Sequence, residues 1–450
     1  MPQPHPPTKH PARRLAMTAL KVAIAVLGLW WVLGQISWHD TAVIARGQTV
    51  RAAVFVHATR LPVVSRTARS VTVRFANQII QVRLPSGKIV TASATRYPIM
   101  FPRQLTLPLS YLATAGGHPE IEAGLHSLIV RANAWLLLGA LIIVGIPFFL
   151  TAWRWQLLMS VQDMHLSYAQ CLRLNFVGQF YSTFLPGTTS GDLVKILYTA
   201  RVTGQTTQSA VTVLLDRVIG LVGLVMVAGI AATIQLMVNS ASSASPLGTA
   251  TGTGSDPVLL RVVMLTGGLL AATLVGCILY FSARLRRWLG IDSILNRLPL
   301  PEFIKHADRS LLAYRHHLRL VAGTFGLSMI SQSVLPLAGF LAGRAFGMHA
   351  SFGCFMAYIP LAALAASLPI MPPQGIGVTE AILLHFFVTR GVDTASQSFA
   401  LAQAIRFLPI TWNLLGAYWV VRGKFHRPTP TEVEIIESDL PIPITAPCTE

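Results

Sequence analysis

The chain has 450 residues, of which 53% are hydrophobic and only 12% are charged. Together with a mean hydropathy of +0.57, this composition excludes a soluble globular protein and indicates a polytopic membrane protein. A formal net charge of +18 would favour nucleic-acid binding in a soluble chain, but basic cytoplasmic loops and anionic lipid headgroups account for part of it here. We therefore expect no nucleic-acid partner.

The sequence shows no pattern typical of a metal site or of a soluble enzyme. Its four cysteines form no CxxC pair: Cys171, Cys277 and Cys354 lie in apolar segments, and Cys448 lies in the C-terminal tail. HExxH, GxSxG and P-loop patterns do not occur. We therefore expect a protein that is not an enzyme and that has no metal and no cofactor.

The N-terminal part predicts a tail and then a membrane anchor. Residues 1–14 are rich in proline and basic side chains, which predicts a disordered cytoplasmic tail. Residues 15–36 are apolar over a longer stretch than the core of a signal peptide, and no Ala-x-Ala cleavage site follows. This pattern favours an uncleaved first transmembrane helix with its basic end in the cytoplasm.

Residues 37–131 predict a small extracytoplasmic all-β domain. Short β-branched runs alternate there with turn residues, and residues 79–84 and 89–91 flank the turn sequence Pro-Ser-Gly-Lys, which predicts a β-hairpin. The domain is rich in arginine, although long loops cross the membrane regardless of charge. These arginines either form the solvated face of a spacer domain, which is the simpler interpretation, or bind anionic headgroups or polymers.

Residues 132–422 predict a helical membrane domain, followed by a disordered cytoplasmic tail at 423–450. With the first anchor, five further apolar stretches make six full spans: 134–152, 205–238, 258–281, 320–346 and 398–421. The second of these six ends in Trp153-Arg154-Trp155, an aromatic and basic interface anchor. Residues 239–257 predict a flexible polar linker, and the arginine-rich segment 284–319 predicts one or two interfacial helices on the cytoplasmic leaflet.

Two further apolar segments are interrupted. In 355–390, arms of about 12–16 residues, short of the ~20 needed to cross a bilayer, flank a break at residues 369–375. Its adjacent prolines stop a helix, and the freed backbone groups must be packed in protein or face water. A similar break at 186–191 interrupts the segment 166–201. We expect two re-entrant hairpins; the simpler alternative for 355–390 is a proline-kinked helix followed by a loop.

The charge distribution then predicts a topology. With the basic ends inside, the N-terminus, the turn at 153–165 and the segment 284–319 are cytoplasmic, as is the C-terminal tail, and the first hairpin enters from inside and the second from outside. The predicted fold class is an all-α polytopic membrane protein, with about six full spans, two opposed re-entrant hairpins in an inverted-repeat-like arrangement, and an inserted all-β domain. The expected location is the bacterial cytoplasmic membrane.

Three motifs resemble those of a flippase-like membrane family that includes the transmembrane region of lysylphosphatidylglycerol synthases. Arg154-Trp155 with Leu158 resembles the family's Arg-Trp-x-x-Leu after the second span. The stretch 184–192 with Lys195 resembles its Pro-Gly…Gly-Gly-Asp…Arg hairpin, and 373–377 with Glu380 resembles its Pro-x-Gly-x-Gly-x-x-Glu. An acidic residue and an arginine open a helix in the family where this chain has Asp216-Arg217.

The resemblance covers about 134–422 and the first span, and it implies movement of a lipid headgroup across the bilayer. Ser190 stands where the family has a glycine, and Lys195 where it has an arginine, which keeps a cation but loses bidentate recognition. The insertion 37–131 is longer than the usual connection. Because the chain ends soon after the last predicted span, we expect no aminoacyl-transferase domain, and lipid aminoacylation does not carry over.

Ionisable residues in or beside membrane segments are the candidate site, since each costs roughly 2.5–3.5 kcal/mol near a helix centre. We predict as substrate-binding residues Asp192, Lys195, Gln374, Gly375, Gly377, Glu380 and Arg406. The break at 374–377 would present free backbone amides at a helix start, which suits a phosphate. For Asp216 and Arg217 we favour structural ion pairs that hold the hairpins in place, an alternative that stays open for the other charged residues.

Two classes of function fit this pattern. The first is a lipid flippase or transporter, whose hairpins line a groove for the headgroup of a phospholipid or a polyprenyl-phosphate lipid. The second is a non-transporting scaffold that presents lipid to a glycosyl- or aminoacyl-transferase, to which the extra β domain gives some weight. The expected partners are membrane lipids, in particular anionic ones, with such a transferase in the second case; no oligomeric state is predicted.

Overall fold

The computed structural model describes the following residues: 26–27, 30, 33, 38–46, 48–50, 53–57, 59–67, 69–74, 80–83, 89–92, 104–115, 118–119, 121–184, 190–243, 257–282, 302–368, 371–388 and 393–421. Several predictions therefore lie outside the described residues. They concern the tail 1–14, most of the first span, the hairpin turn 85–88, most of the break at 186–191, most of the linker, the first half of 284–319 and the tail 423–450.

The N-terminal part is a β region, as predicted. Its strands are Thr41–Ile44 (β1), Thr49–Val50 (β2), Ala53–Phe55 (β3), Thr59–Arg66 (β4), Ser70–Arg74 (β5), Ile80–Arg83 (β6), Ile89–Ala92 (β7), Gln104–Pro108 (β8), Thr114–Ala115 (β9), His118–Pro119 (β10) and Ile121–Glu122 (β11). All pairs are antiparallel, and they form sheets in the orders β11-β1-β4-β5-β8, β2-β3-β6-β7 and β10-β9. The predicted hairpin is confirmed, because β6 pairs with β7.

Alternation of apolar and polar residues explains the β core. In β5, Val71 and Val73 are buried while Arg74 is exposed, as expected for a strand with one face on a core. Leu61 of the neighbouring strand β4 and Phe55 of β3, in the other large sheet, belong to the same buried cluster. The last strand ends at Glu122, and Leu125–Arg131, at the end of the predicted β domain, forms a short helix (α1).

The rest of the described chain is helical. The helices are Ala134–Val144 (α2), Ile146–Ser160 (α3), Tyr168–Phe184 (α4), Ser190–Thr203 (α5), Thr206–Ser243 (α6), Pro257–Phe281 (α7), Glu302–Ala313 (α8), Leu318–Ala345 (α9), Phe352–Ala366 (α10), Val378–Val388 (α11) and Ala395–Val421 (α12). In the segment 284–319, the described part is α8, a single 3₁₀ turn Tyr314–His316 and the start of α9.

Four described helical stretches are long and apolar enough to cross a membrane: Ala134–Ser160, Thr206–Val238, Leu260–Tyr280 and Leu318–Ala345. The chain is therefore a multi-pass helical membrane protein. α12 has 27 residues but is not among the four, because polar side chains such as Arg406 and Asn413 lower its hydropathy. The first predicted span lies mostly outside the described residues, so the count of six remains a prediction.

Both interrupted segments are broken helices in the structure. The first consists of α4 and α5, and the second of α10 and α11 with a 3₁₀ turn at Pro373–Gly375 between them. α12 packs against both α4 and α11, and it also contacts α2, where the indole Nε1 of Trp412 donates to the carbonyl oxygen of Leu141 at 2.7 Å. One helix therefore separates the two broken segments and carries polar groups between them.

The arms of the first broken segment approach each other through glycine. A Cβ added to Gly191 in α5 would overlap the carbonyl oxygen of Gly178 and the hydroxyl of Ser182, both in α4. We expect Gly191→Ala to destabilise the protein by about 1–3 kcal/mol, the usual cost of overpacking. In α7, Gly267→Ala is a matched control, since no atom lies within 4 Å of its added Cβ. Thermal unfolding in detergent should show a loss for Gly191→Ala only; equal midpoints would contradict this packing.

Candidate functional site

The turn between α10 and α11 needs residues that tolerate a left-handed backbone. Gln374, Gly375 and Gly377 have positive φ angles of 58°, 61° and 82°. Glycine adopts such angles at no steric cost, whereas a positive φ is uncommon for glutamine and such strain concentrates at functional sites. The positive φ angles thus explain why glycines occur in the predicted motif. The turn is followed by α11, with Glu380 in its first turn.

Glu380 is the centre of a buried polar network. Its residue exposure is 1%, and its Oε2 accepts a hydrogen bond from the backbone amide of Gly377 at 2.9 Å. This contact is half of a capping box, in which the third residue of a helix reaches back to the amide that precedes it. Its Oε1 accepts from Gln403 Nε2 at 3.2 Å and from Arg406 Nη1, both in α12.

The prediction that the glycine turn offers free backbone amides is therefore wrong for both glycines. The amide of Gly377 donates to Glu380, and that of Gly375 donates to the carbonyl oxygen of Pro372 at 2.9 Å. The physical reason is that the carboxylate of Glu380 itself occupies the positive end of α11, where an anion is favoured. Gln374 is exposed and lines the cavity described below.

Arg406 uses only part of its hydrogen-bonding capacity. Its side chain is 12% exposed, and its Nη1 is bound to Glu380. The Nε and Nη2 groups are buried and have no hydrogen-bond partner among the described residues. Nε and Nη2 form one edge of the guanidinium fork, the edge that binds two oxygens of a phosphate or carboxylate at once. A buried cation with two unused donors is therefore a candidate anion site.

These unused donors belong to a residue that lines a cavity of about 340 Å³. Its described lining comes from both broken segments and from α6 and α12: Gln179, Ser182, Arg217, Ile359, Ala362, Ala363, Ala366, Ser367, Gln374, Thr379, Leu383, Ala402, Ile405, Arg406, Pro409, Ile410 and Asn413. Two arginines and several neutral polar groups lie among apolar side chains, and this described set includes no carboxylate. The cavity therefore suits a polar group of negative charge.

The other charged residues form pairs beside this cavity. Arg217 binds Asp192 through two contacts, from Nε at 2.7 Å and from Nη2 at 2.9 Å. Asp216 binds Arg154, whose Nε lies 2.7 Å from its Oδ1. The two neighbours 216 and 217 are thus held by different partners, on α3 and α5. Because Asp192 is engaged with Arg217 and is not a lining residue, the structure gives it no direct place in the cavity.

Lys195 also lies apart from the described cavity lining. It is buried, its ammonium donates to Asn175 Oδ1 at 2.7 Å, and it lies 5.5 Å from the ring centre of Trp155. Asn175 in turn donates to the carbonyl oxygen of Phe148 and the hydroxyl of Thr151. Lys195 therefore links α5 to α3 through Asn175 of α4. These contacts are structural and give no evidence for the predicted role of Lys195 in substrate binding.

Sequence reasoning missed several polar residues of this region. Arg154 was expected at the membrane interface, but it is 4% exposed and donates to Asp216 and to Ser328. Gln403 and Asn413 were not named as candidate site residues, although their sequence context could have indicated them. Both are amides within an otherwise apolar span, and Asn413 follows Arg406 by seven residues, which places the two on one helix face.

Comparison with known proteins agrees with the motifs. The family described as "Lysylphosphatidylglycerol synthase TM region" matches residues 123–416, which include every charged residue discussed here. A relative, a UPF0104 membrane protein of Pyrococcus horikoshii, is 22% identical over 303 residues, which cover 65% of this chain and 86% of that protein. Since the family match covers well over half of the 450 residues, the chain belongs to the family of the lysylphosphatidylglycerol synthase transmembrane region.

Proposed function

We propose that the protein is a lipid flippase that moves a phospholipid or polyprenyl-phosphate-type headgroup across the membrane, through a groove lined by two re-entrant hairpins. The observation that carries this proposal is the cavity lined by both broken segments and by Arg406, whose buried Nε and Nη2 have no hydrogen-bond partner among the described residues. Broken helices that meet at a polar cavity are the usual construction of transporter sites. In this proposal the protein has no catalytic residues.

The ion pair with Glu380 offsets part of the cost of keeping the Arg406 cation inside a membrane, where it can bind a phosphate. Nη1 stays on Glu380, while Nε and Nη2 remain for the two oxygens of a phosphodiester. A headgroup therefore binds without breaking the ion pair and without leaving the carboxylate alone. Arg217, which is half-exposed, lines the same cavity and is already bound to Asp192, adds positive potential along the path.

The proposed topology follows the charge pattern of the sequence. With the N- and C-termini in the cytoplasm, the α4–α5 hairpin enters from the inside and the α10–α11 hairpin from the outside. Their tips then approach the middle of the bilayer from opposite sides. Such an opposed pair offers the cavity to each leaflet in turn, which is what movement of a headgroup requires.

The test is headgroup movement in vesicles that contain only the full chain. We expect the wild type to move an acyl-labelled phosphatidylglycerol between leaflets, read out by a membrane-impermeant quencher. Arg406→Lys keeps the charge beside Glu380 but loses the bidentate fork, so the rate should fall about tenfold, the equivalent of ~1.4 kcal/mol. The control is Arg309→Gln, an exposed arginine of α8 that is not among the cavity residues.

Two results would contradict this proposal. A wild-type rate in Arg406→Lys would show that the fork is not part of the path. Absence of movement by the folded wild type, for both phosphatidylglycerol and a polyprenyl-phosphate lipid, would reject transport. The remaining function would then be the presentation of lipid to a glycosyl- or aminoacyl-transferase, for which the β region offers a partner surface.

A further inference from the structure

A second group with unused hydrogen-bonding capacity lines the same cavity. Asn413 is 7% exposed, and its Nδ2 donates to the hydroxyl oxygen of Thr183 at 2.7 Å. The hydroxyl proton of Thr183 is committed to the carbonyl oxygen of Gln179 at 2.9 Å. Thr183 can therefore only accept from the amide, which fixes the orientation of Asn413 and leaves its Oδ1 as an acceptor. This Oδ1 is buried and has no partner among the described residues.

A buried acceptor without a partner destabilises a protein unless a ligand satisfies it. Asn413 follows Arg406 by two helical turns, about 10 Å along α12. Between them, Pro409 has no amide hydrogen to donate to the carbonyl of Ile405, and both residues line the cavity. The cavity lining thus includes a cationic donor residue, Arg406, and a neutral acceptor residue, Asn413, two turns further along the same helix.

The charges of the residues around the cavity determine which hydrogen-bond donor of a ligand fits beside Oδ1 of Asn413. The two arginines give the described lining a positive character, and the nearby carboxylates of Glu380 and Asp192 are already bound to arginine. An ammonium group beside Asn413 would lose its hydration without gaining an anionic partner, which is expensive in this environment. A hydroxyl needs only the neutral acceptor, so it is the better match.

We propose that the cavity selects a headgroup in which a phosphodiester is joined to a hydroxyl-bearing group, a glycerol or a sugar, and that it disfavours a cationic headgroup. The phosphate binds the Nε and Nη2 groups of Arg406, and a hydroxyl donates to Oδ1 of Asn413. This inference rests on the flippase proposal and specifies the class of headgroup that the protein would move. A glycerophospholipid and a polyprenyl-phosphate sugar share this chemistry.

The experiment compares three glycerophospholipids that differ only in the group beyond the phosphate, and one polyprenyl lipid that tests the second source of the headgroup. The purified full chain in detergent is titrated with four short-chain lipids: phosphatidylglycerol, phosphatidylmethanol, lysyl-phosphatidylglycerol and a polyprenyl phosphohexose. Phosphatidylmethanol keeps the phosphodiester charge but has no hydroxyl, so it is the matched control ligand. We expect phosphatidylglycerol or the phosphohexose to bind about tenfold more tightly than the methyl ester and the cationic lipid, and the tighter of the two identifies the source of the headgroup.

Variants then assign the selection to Asn413. Asn413→Leu should reduce the preference over phosphatidylmethanol to less than twofold. Thr411→Val removes a polar group from an exposed position of the same helix, and it should keep the full preference. Asn413→Asp places a carboxylate at this position and should shift the preference towards the cationic lipid.

The failures are distinguishable. Equal binding of phosphatidylglycerol, the phosphohexose and phosphatidylmethanol by the wild type overturns the inference, whether or not a variant folds. Binding of lysyl-phosphatidylglycerol as tight as that of the preferred lipid overturns it as well. Selective binding without any movement in vesicles rejects the flippase proposal and leaves the selectivity of the site standing. Movement of all four lipids at one rate, with equal affinities, retains the flippase and rejects the selectivity.

Discussion

Replacing Glu380 by glutamine is expected to lower the free energy of unfolding by about 3 kcal/mol. The carboxylate is fully buried and accepts from Arg406, Gln403 and Gly377. A neutral amide leaves the guanidinium as an uncompensated charge, and such a charge near a helix centre costs roughly 2.5–3.5 kcal/mol. Glutamine keeps only one acceptor oxygen, so it can accept from Gly377 or from the groups of α12, but it no longer offers a separate oxygen to each side.

The second change separates stability from function. Glu380→Gln/Arg406→Gln removes both charges, so stability should return in large part, while headgroup movement stays lost because the fork is gone. Unfolding in detergent and movement in vesicles are measured on both single variants and the double variant. A stable and fully active Glu380→Gln would contradict both the ion pair and the site. A stable but inactive one would show that the carboxylate serves the headgroup or a proton directly.

The elements of this site were predictable, because they depend on local sequence. Adjacent prolines and glycines interrupt an apolar run, and such a break produces two short helices wherever the chain folds. Glu380 and Arg406 were both named as candidate site residues, because each is an ionisable group within an apolar segment. The structure brings these two side chains together.

Partner choice was not predictable, because it depends on how helices pack. Asp216 and Arg217 are neighbours in sequence, yet successive positions on a helix point in different directions, about 100° apart. One therefore meets α3 and the other α5. For the same reason the role of Asn413 was not predictable. Its Nδ2 donates to the hydroxyl of Thr183 on α4, whose own proton is donated to the carbonyl oxygen of Gln179, and this leaves Oδ1 of Asn413 without a partner among the described residues.

Backbone amides at the glycine turn show a different limit. The start of a helix in a membrane favours an anion, so an anionic acceptor was correctly expected beside the backbone amides of this turn. This preference does not distinguish a bound ligand from a carboxylate of the protein itself. Glu380 lies three residues after Gly377, at the spacing of a capping box, and this internal carboxylate satisfies the amide in place of a ligand. The anion site that we propose is instead the guanidinium of Arg406, which is bound to this carboxylate.

Arg154 is the other residue whose loss should have a large effect. It is 4% exposed on α3 and binds the side chain and the carbonyl oxygen of Asp216 on α6 and the hydroxyl of Ser328 on α9. Three membrane helices thus meet at one guanidinium. We expect Arg154→Met to destabilise the protein by about 3–5 kcal/mol, the usual cost of leaving one partner of a buried ion pair alone.

A matched comparison lies one position along α6. The Arg217–Asp192 pair has similar distances, but the side chain of Arg217 is 47% exposed and that of Arg154 only 4%, so solvent already screens the Arg217–Asp192 pair. Arg217→Gln should therefore cost about 1 kcal/mol or less. Adding Asp216→Asn to Arg154→Met should recover most of the loss, because no charge stays behind. Equal, small losses for both arginines in detergent unfolding would show that water reaches Arg154 and that this contact does not hold the three helices together.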